Sequence, residues 1–418
     1  MLEQPKKDIL VVGGGIVGLC CALRLQQAGW QTTIVDPGDF SRAAASGNAG
    51  HIAIEQTEPL ASRAALRTTL GQFVQGRGPL GLPLRDIGTW VPFAGKLYRF
   101  SAPARHEAGK VVLGALLADA MPAWRRLADD IGASDLLIER GHVLVWQDAE
   151  RAADGIAAWR KTGTGTATFH EASPTERADL EQCLGIRAAG ALIFENTGQV
   201  ADLGRLFQAL FAAWHDADGR LIRGSVRKID IVDGLASARL DGGETIHPGT
   251  MLLAAGARSG ALLDSLGHKV PLIAERGYHV QAANSRWQMG MPPVVFPERS
   301  IIATRFESGL RVAGFVEFAG VDSPADPRRW KILERHARDL SLPLEGALTR
   351  WMGARPTLPD YLPAMGRARF ARNLLYAFGH NHLGLTLAPI TAEIMSRLAL
   401  GGTPPRFMTS LDLDRFKP

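Results

Sequence analysis

Cysteine, tyrosine and an excess of one charge sign are all scarce in this chain. Its 418 residues hold three cysteines, Cys20, Cys21 and Cys183. An odd number with two adjacent argues against a disulfide framework and for a reducing, cytoplasmic setting. Lys and Arg number 47 against 42 Asp and Glu, a formal +5. No nucleic-acid-binding motif or aromatic stacking pattern accompanies that excess. The uncharged stretch from Ile9 to Leu23 has 15 residues, too few to span a bilayer. Apolar residues at 46% and charged residues at 21% exclude disorder, coiled coil and collagen. The length suits one large domain or two ordinary ones. Glycine is abundant instead: 46 of 418 residues, about 11% against a usual value of roughly 7%.

The most informative glycines come first. Asp8 to Val12 reads as a buried strand and runs into Gly13-Gly14-Gly15-Ile16-Val17-Gly18. A helical stretch to Ala28 follows, then a second strand from Gln31 to Val35 ending at Asp36 and Pro37. Gly13, Gly15 and Gly18 satisfy G-x-G-x-x-G in its full βαβ setting. Gly13 allows the turn, Gly15 lets a pyrophosphate approach backbone, and Gly18 lets the helix pack on the strand. The helix N-terminus holds the diphosphate and Asp36 accepts ribose hydroxyls, which disfavours NADP. NAD and FAD both fit this fingerprint.

Farther along, helical patterns cover Val111 to Asp130 and Ala201 to Trp214. Strand-like runs recur at His142 to Trp146, Ala191 to Phe194, Arg223 to Val232, Thr250 to Gly256, Tyr278 to Gln281, Ser300 to Thr304 and Leu310 to Val316. The expected fold class is α/β: a Rossmann-like dinucleotide domain interleaved with an α+β domain built on a mainly antiparallel sheet. The small residues Ala255 and Gly256, ending an apolar strand, permit close approach of a cofactor.

Three further segments, with the fingerprint, resemble the FAD-dependent D-amino-acid oxidase and dehydrogenase family. They are Ser46-Gly47-Asn48-Ala49-Gly50-His51; Gly353-Ala354-Arg355-Pro356 with Asp360, Pro363 and Gly366; and Gly379-His380-Asn381-His382-Leu383-Gly384-Leu385-Thr386. Within the family, Thr304-Arg305-Phe306 and Arg311 to Gly314 look like the bacterial D-amino-acid dehydrogenase branch. The first and third segments most resemble D-hydroxyproline dehydrogenases. The resemblance implies FAD as cofactor and domains of residues 1–58, 198–270 and 350–418 for FAD and 59–197 and 271–349 for substrate. It implies a small D-amino acid of the D-hydroxyproline or D-proline type as substrate. A broad D-amino-acid dehydrogenase, a glycine or sarcosine oxidase-like enzyme, or the flavin subunit of a larger complex are the alternatives.

Site roles follow from the same resemblance. Arg355 binds the substrate carboxylate, since a guanidinium offers two parallel donors. His51 and His382 line flavin or substrate, and Tyr278 stands in for a pocket tyrosine absent from Ser300-Ile301-Ile302. Gly13 to Gly18, Asp36, Pro37, Ser46 to Gly50, Val226, Ala255, Gly256, Gly353, His380 and Leu383 to Thr386 contact FAD. No metal is expected, because the His380 and His382 pair has no carboxylate or cysteine at supporting spacing.

The surplus charge is localised. Between residues 59 and 106 stand Arg63, Arg67, Arg77, Arg85, Lys96, Arg99 and Arg105 against Asp86 alone, with many aromatic and aliphatic residues. Two readings stand for this segment. It rests on the cytoplasmic face of an anionic inner membrane, passing electrons to quinone or a partner flavin or iron-sulfur subunit, or it caps the substrate domain as a helical hairpin.

Overall fold

The computed structural model describes residues 7–74 and 79–417. The glycine-rich segment joins Asp8–Val12 to the helix Ile16–Gln27, and Gln31–Asp36 returns parallel to the first strand, with Val12 opposite Val35. Four more strands complete a six-stranded sheet in the order Arg220–Arg223, Gln31–Asp36, Asp8–Val12, Thr250–Leu253, Leu374–Phe378, Ala364–Arg367. All pairings are parallel except the last.

Alternation along these strands feeds two cores. Ile9, Val11, Ile34, Leu252 and Leu375 face the helices Ile16–Gln27, Leu203–Asp216 and Gly384–Ala399. Leu10, Val12, Val35, Met251 and Leu253 face a three-stranded meander through Ile229, Ala236 and Ala238. Strands buried on both faces read as continuous apolar runs, which is why Asp8–Val12, Gln31–Asp36 and Thr250–Leu253 were visible in the sequence.

The second large sheet has nine strands, in the path order Glu345–Thr357, Ile273–Asn284, Gly309–Ala319, Ile301–Phe306, Val294–Phe296, His142–Trp146, Gly190–Glu195, Thr168–Glu171, with Leu80–Gly81 pairing Gly309–Ala319. It is antiparallel except where Val294–Phe296 meets His142–Trp146 and at Leu80–Gly81. The α/β class with a mainly antiparallel second sheet therefore stands.

Three local expectations are corrected. The run Arg223 to Val232 is two strands: Arg220–Arg223 joins the parallel sheet, whereas Val226–Val232 pairs antiparallel with Leu235–Leu240. Gly224 breaks it, its N–H donating to the Asp36 carbonyl at 3.2 Å. The helical pattern Val111 to Asp130 divides at Asp119 into Pro103–Ala118 and Ala120–Asp130. The strand Glu345–Thr357 lies at the edge of the large sheet, although residues from 350 onward were expected in the FAD domain; eleven residue pairs with Ile273–Asn284 hold it there.

Candidate functional site

The glycine-rich turn is shaped by contacts a side chain would destroy. Gly13 has φ +104, and a Cβ there would lie 2.6 Å from the Ala254 carbonyl oxygen, at the end of the neighbouring strand that continues into Ala255 and Gly256. A Cβ on Gly18 would overlap the Gly13 carbonyl oxygen, so helix and turn are in direct contact. Gly15 caps the helix, and nothing lies within 4 Å of the position of its Cβ. Open space over a helix N-terminus is what a diphosphate needs. Asp36 accepts from Gly14 N–H and Gly38 N–H, each at 2.8 Å, which orients its carboxylate at the strand end and leaves lone pairs for hydroxyl donors. Ile16 is buried, Val17 half-buried and Pro37 exposed beside this turn. These residues fit the dinucleotide of FAD.

A second wall is the segment Ser46 to Gly50. The large sheet grips it through residues that the sequence did not single out as site residues. Arg311 donates from Nη1 to the Ser46 carbonyl at 3.0 Å and the Asn48 carbonyl at 2.5 Å, and His279 Nδ1 donates to the Gly47 carbonyl at 3.1 Å. Burial pulls the Arg311 guanidinium down to about 10; burial, then the Arg311 charge, takes His279 to about 3. The imidazole is thus neutral and stacks on Trp351, whose ring occupies the space a Cβ on Gly47 would take. Gly50 turns at φ +76 against the Phe306 ring, and Ala49 is half-buried between them.

Arg355 stands on the edge strand opposite Glu275. Its Nη1 donates to Glu275 Oε1 at 3.4 Å and to the Phe315 carbonyl at 3.2 Å. Among the described contacts Nε and Nη2 donate to nothing, so one edge of the fork is open. Room for it comes from glycine: Gly277 faces Gly353 across the ladder, and a Cβ on Gly277 would overlap Nη2. Glu275 is buried and takes two further donors on Oε2, Thr357 Oγ1 at 3.1 Å and Tyr361 O–H at 3.0 Å. Three non-glycine residues in the left-handed region, Phe315, Tyr361 and Asn381, surround this network. Such backbone costs on the order of 1–3 kcal/mol apiece and persists where surrounding contacts over-determine it.

The last segment folds as expected around its helix. Gly379 turns at φ +80 against Leu358, and Asn381 ties the loop to the Tyr361 carbonyl at 3.0 Å. Leu383 precedes Gly384–Ala399, whose first turn carries Leu385 and Thr386. Thr386 Oγ1 accepts Ala53 N–H at 3.0 Å, and its carbonyl accepts Trp124 Nε1 at 3.1 Å. The helix start is therefore pinned to the segment that follows the Ser46 to Gly50 wall.

Two histidines diverge. His380 turns inward to Thr391 Oγ1 at 3.0 Å, and burial lowers it to about 4. His382 Nε2 donates to Gln56 Oε1 at 2.6 Å; burial, then the Arg355 charge, lowers it to about 3. His51 is buried with Nδ1 donating to the Gly198 carbonyl at 3.2 Å and Nε2 meeting Glu55 Oε1 at 3.1 Å. His142 lies against it, ring centroids 4.3 Å apart, with Nδ1 beside Thr197 Oγ1 at 2.9 Å. The ligand-type atoms of His51, Glu55 and His142 all lie within 4.8 Å of one another. Neither Glu55 nor His142 was singled out in the sequence; Glu55 four residues after His51 was the one available signal.

Tyr278 is buried on the face of its strand opposite Glu275, Gly277 and the Arg355 guanidinium. Its hydroxyl donates to Glu317 at 2.8 Å and accepts Asp326 N–H at 3.1 Å, next to the buried Arg276–Glu317 ion pair, and burial pushes it up to about 12. It supports the sheet and does not line the Arg355 side. Val226 begins the antiparallel meander opposite Leu240, packing on the core beneath the parallel sheet.

Comparison with known proteins agrees with this geometry. Residues 8–398 match the DAO family, FAD dependent oxidoreductase. The chain is 30% identical over 414 residues to a D-amino-acid oxidase of Bradyrhizobium diazoefficiens, covering 95% of this chain and 96% of that one. It is 28% identical over 413 residues to D-amino acid dehydrogenase 2 of Pseudomonas aeruginosa, covering 96% and 97%. Its fold is shared with glycine oxidase from Geobacillus kaustophilus, at TM-score 0.72, 19% identity and coverage of 98% and 99%. Iminodiacetate oxidase from a Chelativorans strain gives TM-score 0.70, 18% identity and coverage of 97% and 98%. With the dinucleotide turn, the gripped loop and the open arginine fork in one fold, the chain belongs to the DAO family of FAD-dependent oxidoreductases.

Proposed function

We propose that this enzyme oxidises a D-amino acid of the ring, secondary-amine type, D-proline or cis-4-hydroxy-D-proline, to the corresponding imine. The observation that carries an amino-acid substrate is the open edge of Arg355, a cation whose other edge is fixed by Glu275 and the Phe315 carbonyl. A carboxylate docks on that edge through two parallel hydrogen bonds, which orients Cα. The relatives named for D-amino acids support the configuration, and the loops Ser46 to His51 and Gly379 to Thr386 support the ring substrate.

Bound FAD supplies the hydride acceptor for the Cα hydrogen. The protein contributes orientation and electrostatics. Arg311, His279 and Trp351 hold the Ser46 to Gly50 wall rigid, and the pinned N-terminus of Gly384–Ala399 presents a positive dipole end toward negative charge developing nearby.

An anaerobic screen of the FAD-loaded protein with D-proline, cis-4-hydroxy-D-proline, D-alanine, glycine and sarcosine tests the reading. The ring amino acids are expected to bleach the flavin fastest, and faster bleaching by D-alanine or glycine would overturn the ring assignment. Slow recolouring on admission of oxygen is the result expected of a dehydrogenase.

The same reading extends to the surface that delivers electrons to quinone. The helix Ile87–Phe100 buries Phe93 and Leu97. Leu84, Ile87, Val91 and Tyr98 are 82, 51, 47 and 58% exposed, beside the exposed Arg85, Lys96 and Arg99. Arg63 stacks on Tyr98 at 4.7 Å. Arg77 and the side chains of Leu70, Phe73 and Val74 lie outside the described residues. Among the described residues no helix is long and apolar enough to cross a membrane. An apolar stripe rimmed by cations suits an anionic bilayer surface. The protein should sediment with phosphatidylglycerol vesicles at low salt and be released by Ile87→Ser with Val91→Ser. Full recovery of the unmodified protein in the supernatant would remove the membrane contact.

A further inference from the structure

Two buried acceptor atoms, one of them within reach of the Arg355 charge, have no hydrogen-bond partner: Glu55 Oε2 and His382 Nδ1. Each is left open by a fully engaged remainder of its own side chain. For His382, Nε2 faces the carbonyl oxygen of the Gln56 amide and therefore carries the proton. With burial and the Arg355 charge keeping the ring neutral, Nδ1 is a bare lone pair.

Glu55 is more constrained. The Nδ1–H of His51 is committed to the Gly198 carbonyl, so the Nε2 edge meeting Glu55 Oε1 at 3.1 Å has a proton between the two atoms. His142 Nε2 stands 3.9 Å from the same oxygen. Burial alone would raise the Glu55 carboxyl. The charges of His51 and His142, the His51 hydrogen bond and the backbone N–H of Glu55 itself outweigh it and hold the group at about 2. A buried carboxylate is thus engaged through Oε1 while its Oε2 has no hydrogen-bond partner. Burying a carboxylate with an unmatched oxygen is costly unless a donor arrives.

The donor's identity follows from what stands opposite. From Arg355 the contacts run through Glu275 to the Tyr361 hydroxyl, from the Tyr361 ring to His382 at 6.5 Å between centroids, and through Gln56 to Glu55. The charges of both Arg355 and Glu55 act on His382. His382 is therefore within reach of both the cationic fork and the buried carboxylate. The titratable groups against Glu55 are the two imidazoles, and both meet Oε1.

We propose that Glu55, with His382, is the amine-binding half of the substrate pocket: Glu55 Oε2 and His382 Nδ1 receive the two N–H bonds of a ring secondary ammonium whose carboxylate lies on Arg355. The inference rests on the amino-acid reading above and sharpens it, because two acceptors match the two N–H bonds of a prolyl nitrogen. Glu55 and His382 touch substrate, whereas His51 and His142 act through Glu55 as positioning residues.

Two non-oxidisable probes separate binding from turnover: α-methyl-D-proline keeps ammonium and carboxylate but has no Cα hydrogen, and tetrahydrofuran-2-carboxylate keeps ring and carboxylate but has no N–H. Each is titrated into the FAD-loaded enzyme and followed by perturbation of the flavin spectrum. The unmodified enzyme is expected to bind the amine at least about tenfold more tightly than the ether, as a charge-assisted hydrogen bond implies. Glu55→Gln should erase that preference and leave the ether's Kd within about threefold, and His382→Phe should reduce the preference in part.

Equal Kd values for the two probes in the unmodified enzyme overturn the proposal without any variant having to fold. A preference that survives Glu55→Gln overturns it as well. So does stoichiometric metal in the purified enzyme, which would occupy the His51, Glu55 and His142 atoms instead. If the ether binds and Arg355→Ala abolishes its binding while both probes remain equal, the carboxylate reading stands and only the amine half is lost. If neither probe perturbs the flavin, both fall.

Discussion

Arg355→Ala is expected to leave FAD bound and the protein yellow while lowering kcat/KM by about two to three orders of magnitude, since truncating one partner of a hydrogen-bonded charge pair costs about 2–5 kcal/mol. The loss should fall on kcat as well as KM, because the fork positions Cα as well as holding the acid. Alanine also removes the cation beside Glu275, a buried carboxylate. Glu275 keeps Thr357 and Tyr361 as donors, so the fold survives with a lowered Tm. Arg355→Lys separates the two effects: a charge remains for Glu275 and restores the Tm, but a point ammonium lacks the parallel donors and restores little turnover. Turnover within threefold of the unmodified enzyme in either variant would refute the carboxylate-anchor role.

That experiment turns on a residue the sequence exposed and on partners it concealed. Gly13 to Gly18 and Asp36 were legible because their signal is local: strand, turn, helix and strand follow one another within thirty residues, and each glycine has its own steric reason. Arg355 was reached through its resemblance to a family motif. Its partner Glu275 is 80 positions away and becomes its neighbour only through strand register. The same holds for His142 and Glu55, brought together across the Gly198 region by a histidine on each side.

Register also explains why Tyr278 faces away from the Arg355 guanidinium. Adjacent strand residues point to opposite faces, and a sequence without known pairing does not say which face looks toward the cofactor. Gly277, silent in the sequence because it offers no side chain, is on the Arg355 face, where its missing Cβ makes space for the guanidinium. Arg311 likewise reads as an ordinary strand arginine until its carbonyl partners on the Ser46 to Gly50 loop are seen.

The dinucleotide turn allows the second large effect to be divided into stability and affinity. Gly18→Ala forces a methyl group onto the Gly13 carbonyl, and Gly13 has no freedom to retreat: its N–H is held by the Val35 carbonyl at 3.0 Å and the Ala254 carbonyl crowds its other side. The helix must lift from the strand, at about 1–3 kcal/mol for an overpacked contact, and its N-terminal N–H groups leave the diphosphate position. Apoprotein Tm and FAD affinity should both drop, the latter far enough to give colourless protein. Gly15→Ala behaves differently. Its φ of −69 suits any residue and its Cβ would enter open space, so the apoprotein Tm should be unchanged. If the pyrophosphate approaches the backbone through that space, as the glycine motif implies, the methyl group should cost at least about tenfold in FAD Kd. Thermal unfolding of the two apoproteins with fluorescence titration of FAD measures both quantities. Unchanged FAD affinity in Gly15→Ala would place the diphosphate away from this helix N-terminus, and an unchanged Tm in Gly18→Ala would mean that the helix is not seated on the turn.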